Sequence, residues 1–81
     1  MDLILHLNGY CIETAARKKY EELVRDLLKE ENAEKEKQLE LLIEFLKRAD
    51  FSKLRNMGFD GSRSMKVVIR KVGNEFSVEE I

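Results

Sequence analysis

His6 and Cys11 are the only imidazole and the only thiol in the chain, so they are the first candidates for chemistry. A Cys–His nucleophile pair requires the two side chains to be in hydrogen-bond contact. In an extended segment their spacing would point them to opposite faces, although the turn at Asn8-Gly9 could alter this. We therefore expect His6 to be a packed, hydrogen-bonded strand residue and Cys11 to be a small hydrophobic residue before a helix.

The acidic residues do not predict a catalytic or metal site. They lie mostly on predicted helices, interleaved with Lys and Arg, whereas general acid–base catalysis needs a carboxylate with a perturbed environment in a pocket. Asp60-Gly61-Ser62 begins like a calcium loop but is not followed by the later acidic ligands, and no His, Cys and Asp residues have zinc-site spacing. The sequence predicts a protein that is not an enzyme, with no catalytic residues, no metal and no cofactor.

Basic residues are concentrated between positions 51 and 74, which hold six basic residues and one acid, a net charge of +5. With Phe51 and Phe59 nearby, this stretch could follow an RNA backbone and stack a base. The other interpretation is a soluble strand whose basic residues pair with Glu79 and Glu80. The candidate nucleic-acid-binding residues are Lys53, Arg55, Arg63, Lys66, Arg70 and Lys71.

Length and composition indicate one small domain, residues 1–81, with a thin core. Of the 81 residues 43% are apolar, and domains this small leave much of their surface wet and often gain stability from a second subunit. Charged residues make up 38% of the chain, and the bias toward Lys and Glu is typical of heat-adapted proteins, so it predicts a thermophilic source.

The charge balance and the single cysteine exclude several classes of protein. With 15 basic and 16 acidic residues, the whole chain is not a polybasic nucleic-acid binder. One cysteine cannot form an internal disulfide, which favours a reducing cytoplasm over a small secreted scaffold. No apolar segment approaches the roughly 20 residues of a membrane span, so we expect no membrane partner.

Apolar periodicity predicts the elements that position these residues. The run at Leu3–Leu7, closed by Asn8-Gly9, predicts a strand at 2–7, and because only His6 is polar we expect it to be central or covered on both sides. Helical spacing predicts helices at 12–30 and 34–49, with one long coiled-coil helix as the alternative. β-branched residues around Gly73-Asn74 predict a hairpin at 65–81, with a type II′ turn.

Two resemblances offer alternatives to this interpretation. The pattern Phe51-x-x-Leu54-x-x-Met57-Gly58-Phe59 resembles the first helix and loop of ubiquitin-associated domains, although Val67-Val68-Ile69 stands where small helix formers are usual. That resemblance implies a helical C-terminus and binding of ubiquitin-like surfaces through residues 57–59. The predicted β-α-α-β-β order is similar in topology to small ribonuclease toxins of toxin–antitoxin pairs, and implies an RNA-cleaving role for the basic stretch.

We therefore expect an α+β fold in which a small antiparallel sheet, in β-α-α-β-β order, packs against a helical hairpin. The leading hypothesis is a non-enzymatic protein-interaction domain that forms a homodimer and resides in the cytoplasm. Leu41 and Phe45 lie beside the main apolar stripe of the second helix, and we expect them to form an intersubunit face. The alternative is an RNA-binding module or ribonuclease-toxin-like protein that uses residues 51–74.

Overall fold

The computed structural model describes residues 2–81, which form three helices and a three-stranded antiparallel sheet. Strand β1 leads into the long helices α1 and α2, a short helix α3 follows, and strands β2 and β3 form a C-terminal hairpin. The helical hairpin packs on the sheet, which confirms the predicted α+β fold. The bounds are β1 Asp2–His6, α1 Ile12–Lys29, α2 Ala33–Arg48, α3 Phe51–Asn56, β2 Lys66–Val72 and β3 Glu75–Glu80.

Strand β1 is an edge strand, so the prediction of a central strand or one covered on both sides is wrong. The sheet order is β1-β2-β3, with β1 antiparallel to β2 and β2 antiparallel to β3. Leu3 and Leu5 are buried under the helices, whereas Ile4 on the opposite face is 48% exposed. The apolar Ile4 misled the sequence argument, because apolar residues on both faces normally indicate cover on both faces.

Helices α1 and α2 form a hairpin and not one continuous helix. Glu30 and Asn32 have extended backbones, and the Asn32 side chain accepts a hydrogen bond of 3.0 Å from the backbone N–H of Lys35. This N-cap satisfies one of the free donors in the first turn of α2. An ion pair of 3.0 Å between Lys35 and Asp26 then joins the two helices across the turn.

Short loops connect the remaining elements through specific backbone conformations. Asp50 caps α3 by accepting a 3.0 Å hydrogen bond from the backbone N–H of Lys53. Gly61 packs so closely on the loop before α1 that a Cβ atom there would lie 2.8 Å from the carbonyl carbon of Tyr10. Glycine at this position therefore allows the loop before β2 to contact the loop after β1.

The C-terminal segment is a β-hairpin, so the helical C-terminus implied by the ubiquitin-associated resemblance is wrong. At the turn Gly73 has a φ of 62°, whereas the φ of Asn74 is not positive. A type II′ turn, as predicted, requires this combination. Phe59 of the resembling motif is 8% exposed and belongs to the core, whereas Met57 is exposed.

The core lies between one face of the sheet and the helices. The described side chains that are fully buried are all apolar, and the largest is Phe45. Its ring packs edge-on against Phe51 and Phe76, with centroids 5.5 Å away in both cases, and so joins α2 to α3 and β3. The core cluster consists of Leu3, Leu5, Leu7, Ile12, Ala15, Ala16, Leu23, Leu41, Leu42, Phe45, Phe59, Met65, Val67 and Ile69.

Candidate functional site

A groove of about 500 Å³ runs beside the free edge of β1, between that strand and helix α1. Its floor and one wall come from β1 and the turn after it, and its other wall comes from the first turns of α1. Lys18 lies over the ring of Tyr10, 4.7 Å from the centroid, and covers part of that wall. The lining residues are Ile4, Leu5, His6, Asn8, Tyr10, Ala15, Lys18, Lys19 and Glu22.

The groove contains the chain's imidazole but not its thiol. His6 is exposed on the open face of the sheet, which differs from the packed strand residue that the sequence suggested. The Sγ atom of Cys11 lies 3.3 Å from Oγ1 of Thr14 in the first turn of α1. The side-chain hydrogen bond with Thr14 lowers the pKa of Cys11, with a smaller lowering from the backbone of the same residue. The thiol therefore interacts with its own helix and not with His6.

The carboxylates with shifted pKa values all favour the ionised form. A hydrogen bond from Lys35 lowers the pKa of Asp26, and one from Lys71 lowers the pKa of Glu44. A general acid at neutral pH needs the opposite shift, produced by burial in an apolar site. These carboxylates are partly exposed partners of lysines, which is the solvated charged surface that the sequence predicted.

Asp60 forms part of a turn and does not begin a calcium loop. Its carboxylate accepts a hydrogen bond of 3.0 Å from the backbone N–H of Ser62. A hydrogen bond with the Ser62 side chain, and then this backbone hydrogen bond, lower the pKa of Asp60. This local contact is typical of Asp in turns. Among residues 2–81, no group of three or more His, Cys, Asp or Glu side chains is arranged to hold a metal ion.

The basic residues of the 51–74 stretch are distributed over α3, a loop and the sheet, and four of the six are in ion pairs. Arg55 reaches Glu13 of α1 at 3.5 Å, and Arg63 forms a two-pronged contact with the carboxylate of Glu80. Lys53 and Lys66 are the two with no carboxylate within 4.0 Å among the described side chains. The other pairs are Arg70 with Asp2 and Glu79, and Lys71 with Glu44.

These contacts match the interpretation in which the basic strand pairs with acidic neighbours. Arg70 lies 3.1 Å from Asp2 and 3.8 Å from Glu79, so it joins β2 to both flanking strands. Asp2 raises the pKa of Arg70 by hydrogen bonding and by charge attraction. Phe59 is buried, so it does not offer a free ring on which an RNA base could stack.

Leu41 and Phe45 do not form an exposed face. Leu41 is 8% exposed and Phe45 is fully buried within the chain itself. In this packing Phe45 lies against Phe51 of α3 and Phe76 of β3, so neither Leu41 nor Phe45 is exposed to a second subunit. The structure instead exposes apolar surface on the opposite side of the sheet, at Ile4 and Val72.

Sequence reasoning missed the free edge of β1 as a candidate site. The signal that could have found it is the strand's alternation: Asp2, Ile4 and His6 share one face, and two of them are polar. That pattern is typical of a strand with one open face.

Comparison with known proteins places this fold in a family. A protein-family profile matches residues 1–79. The chain belongs to this family. The chain is 61% identical over 85 residues to an uncharacterized protein of Archaeoglobus fulgidus, and the match covers 100% of both chains. No solved structure matches the chain significantly.

None of the helices in residues 2–81 has the length and apolar character needed to cross a membrane.

Proposed function

We propose that this protein is a non-enzymatic protein-interaction domain that works as a homodimer. The observation that carries the proposal is the uncovered sheet. Helices cover one face, and on the other Ile4 leaves 48% of its surface exposed next to the unpaired edge of β1. Exposed apolar surface beside a free strand edge is typical of a binding surface.

The ion pairs favour this proposal over the RNA-binding or ribonuclease-like alternative. RNA binding depends on basic side chains that are free to neutralise phosphates. Arg63 and Arg70 would first have to leave Glu80 and Asp2, and those carboxylates would then repel the RNA.

The proposal includes a reducing, cytoplasmic setting and a surface suited to high temperature. Cys11 is a free, partly buried thiol, which suits a compartment where disulfides are rare. The Lys- and Glu-rich surface forms ion pairs between elements, as between Lys71 and Glu44, which become more favourable as temperature rises.

Light scattering coupled to size-exclusion chromatography tests the homodimer. We expect a mass of twice the 9.5 kDa chain at micromolar concentration and above. The mass of a single chain throughout that range would refute the proposal, because a functional dimer must form at concentrations that a cell can reach.

A further inference from the structure

We propose that two copies of this chain pair through strand β1, antiparallel and centred on Ile4, so that their two sheets become one continuous sheet. This inference rests on the proposed homodimer and names the surface that forms it.

The backbone of β1 directs alternate residues toward β2 and toward the free edge. The N–H of Leu7 donates to the carbonyl of Met65 at 2.9 Å, and the register pairs Leu5 with Val67. In an antiparallel ladder every second residue exchanges both of its hydrogen bonds with one neighbour. The odd residues of β1 therefore bond to β2, and the N–H and C=O groups of Asp2, Ile4 and His6 point to the free edge.

If a two-fold axis passes between the Ile4 residues of the two copies, all of these outward groups can form backbone hydrogen bonds. Ile4 then lies opposite Ile4 of the second copy, and Asp2 lies opposite His6 of the second copy on both sides of the axis. Each pair can exchange two backbone hydrogen bonds, because every residue involved points outward. A shift of one residue would instead place the inward-pointing Leu3 and Leu5 at the interface, so the backbone selects the Ile4-centred register.

The side chains on the open face complement one another in the same register. Ile4 lies beside Val68 of β2, so pairing forms an apolar row that runs Val68–Ile4–Ile4–Val68 across the two copies. At each end Asp2, already 3.1 Å from Arg70, faces the imidazole of the second copy's His6. An imidazole N–H can donate a hydrogen bond to the Asp2 carboxylate, and apolar pairs directly across two strands also stabilise the pairing.

The groove gives the second strand room to approach. It has a volume of about 500 Å³ and runs along the edge of β1 under the flank of α1. Lys19 and Glu22 on that flank form an ion pair of 3.6 Å. This flank of α1 therefore carries a positive and a negative charge, and in a dimer it faces the same flank of the second copy. A two-fold pairing can therefore align unlike charges along α1.

The other edge of the sheet is protected against the same pairing. Strand β3 has the sequence EFSVEE and carries Glu75, Glu79 and Glu80. Two antiparallel copies of this strand would bring carboxylates together, which disfavours self-pairing. Strand β1 has the sequence DLILH and lacks the lysines and prolines that usually protect an exposed edge.

Two matched lysine substitutions test the surface. Ile4→Lys places two like charges opposite each other at the two-fold axis, about 5.5 Å apart between Cα atoms. Val72→Lys puts the same change on the same sheet face, at the far end of β2 and away from the edge of β1. We expect Ile4→Lys to weaken dimer formation by at least about tenfold, equivalent to 1.4 kcal/mol, and Val72→Lys to leave the dissociation constant within about twofold.

Amide hydrogen exchange of the unmodified protein provides an independent readout. In the proposed dimer the amides of Ile4 and His6 are hydrogen-bonded, so their exchange slows as protein concentration rises. The amides of Leu5 and Leu7 bond to β2 in either state, so they are the internal control. This measurement decides the question if Ile4→Lys does not fold or if both variants are monomers.

The outcomes separate the surface from the proposed function. A dimer that persists in Ile4→Lys, or Ile4 and His6 amides that exchange rapidly in the dimer, overturns the β1 pairing but leaves the homodimer in place. A monomeric unmodified protein overturns both. A mass that keeps growing with concentration overturns the two-fold arrangement, because open-ended growth indicates β1 pairing with a different surface.

Discussion

The thiol of Cys11 occupies the N-cap of α1, where backbone N–H groups and the partial positive end of the helix favour a thiolate. Contact with Thr14 is the largest cause of its lowered pKa. The residue type alone predicted a small hydrophobic side chain, because neither the cap geometry nor the Thr14 contact is visible in composition or periodicity.

Replacing Thr14 with valine should raise the pKa of Cys11 toward its ordinary value. Valine keeps the shape of the side chain but removes the hydroxyl that interacts with the sulfur. A titration of thiolate ultraviolet absorbance against pH measures the shift, and at a fixed neutral pH the variant should react more slowly with an alkylating reagent. Thr14→Ser keeps the hydroxyl and is the control, and an equal pKa in all three proteins would contradict the assignment.

Phe45 should be among the most costly side chains to truncate. It is fully buried and its ring contacts two other aromatic rings. Phe45→Ala is expected to lower the free energy of unfolding by about 3–5 kcal/mol, a large share of the roughly 5–15 kcal/mol available to a typical domain. Urea denaturation measures the change.

Leu28 is the matched control for that truncation, because it is an apolar helix residue that is 83% exposed. Leu28→Ala should change stability by no more than about 0.5 kcal/mol. A loss below about 1 kcal/mol in Phe45→Ala would show that the aromatic cluster does not pack as described.

At the scale of elements, periodicity predicted both long helices and the C-terminal hairpin with bounds that differ from the structure by at most one residue. It could not assign a place in the sheet to β1. Whether Ile4 is covered depends on which strand lies in the middle, and that order is decided by pairing between residues far apart in the chain. The same limit applied to Phe45, whose apolar neighbours on α3 and β3 lie outside its own helix.

An ion pair links α2 to β2, with Nζ of Lys71 2.7 Å from Oε2 of Glu44. Replacing Lys71 with methionine should return the pKa of Glu44 toward its ordinary value, because the Lys71 hydrogen bond is the largest cause of the lowering. Carbon NMR of the Glu44 carboxyl group during an acid titration measures this. Lys66→Met removes a lysine from the same strand on the opposite face and should leave Glu44 unchanged.

The same pair contributes to stability with a defined pH dependence. Because the folded pKa of Glu44 is lower than the unfolded value of about 4.3, the contribution is fully present above that value. It is lost as pH falls through the lowered folded pKa. The difference in stability between the natural protein and Lys71→Met should therefore shrink on acidification, and a difference that grows would contradict the pairing.

At the scale of the whole molecule, the sequence revealed the uneven charge along the chain but not where the opposite charges would meet. Folding brings Asp2 and Glu80, from the two ends of the described chain, onto Arg70 and Arg63. A local net charge therefore overstated the basic character of the surface, because these ion pairs join residues far apart in sequence.

We expect the protein to bind mixed single-stranded RNA weakly or not at all at physiological salt. Fluorescence anisotropy at low and physiological salt measures this, because phosphate contacts weaken steeply as salt rises. Any binding at low salt should be lost in a variant in which Arg63, Lys66 and Arg70 are all neutralised. Saturable binding at physiological salt that the triple variant abolishes would instead establish the RNA-binding alternative.

The pairing of β1 with β2 also determines when the fold can be completed. The chain is synthesised from its N-terminus, and residues 7–65 separate the two strands. Helices α1 and α2 can form early from local contacts, but β1 stays without its ladder until β2 leaves the ribosome. A ribosome-bound chain stalled with α2 outside the exit tunnel and β2 still inside it should therefore have its helices but a β1 that proteases can cut.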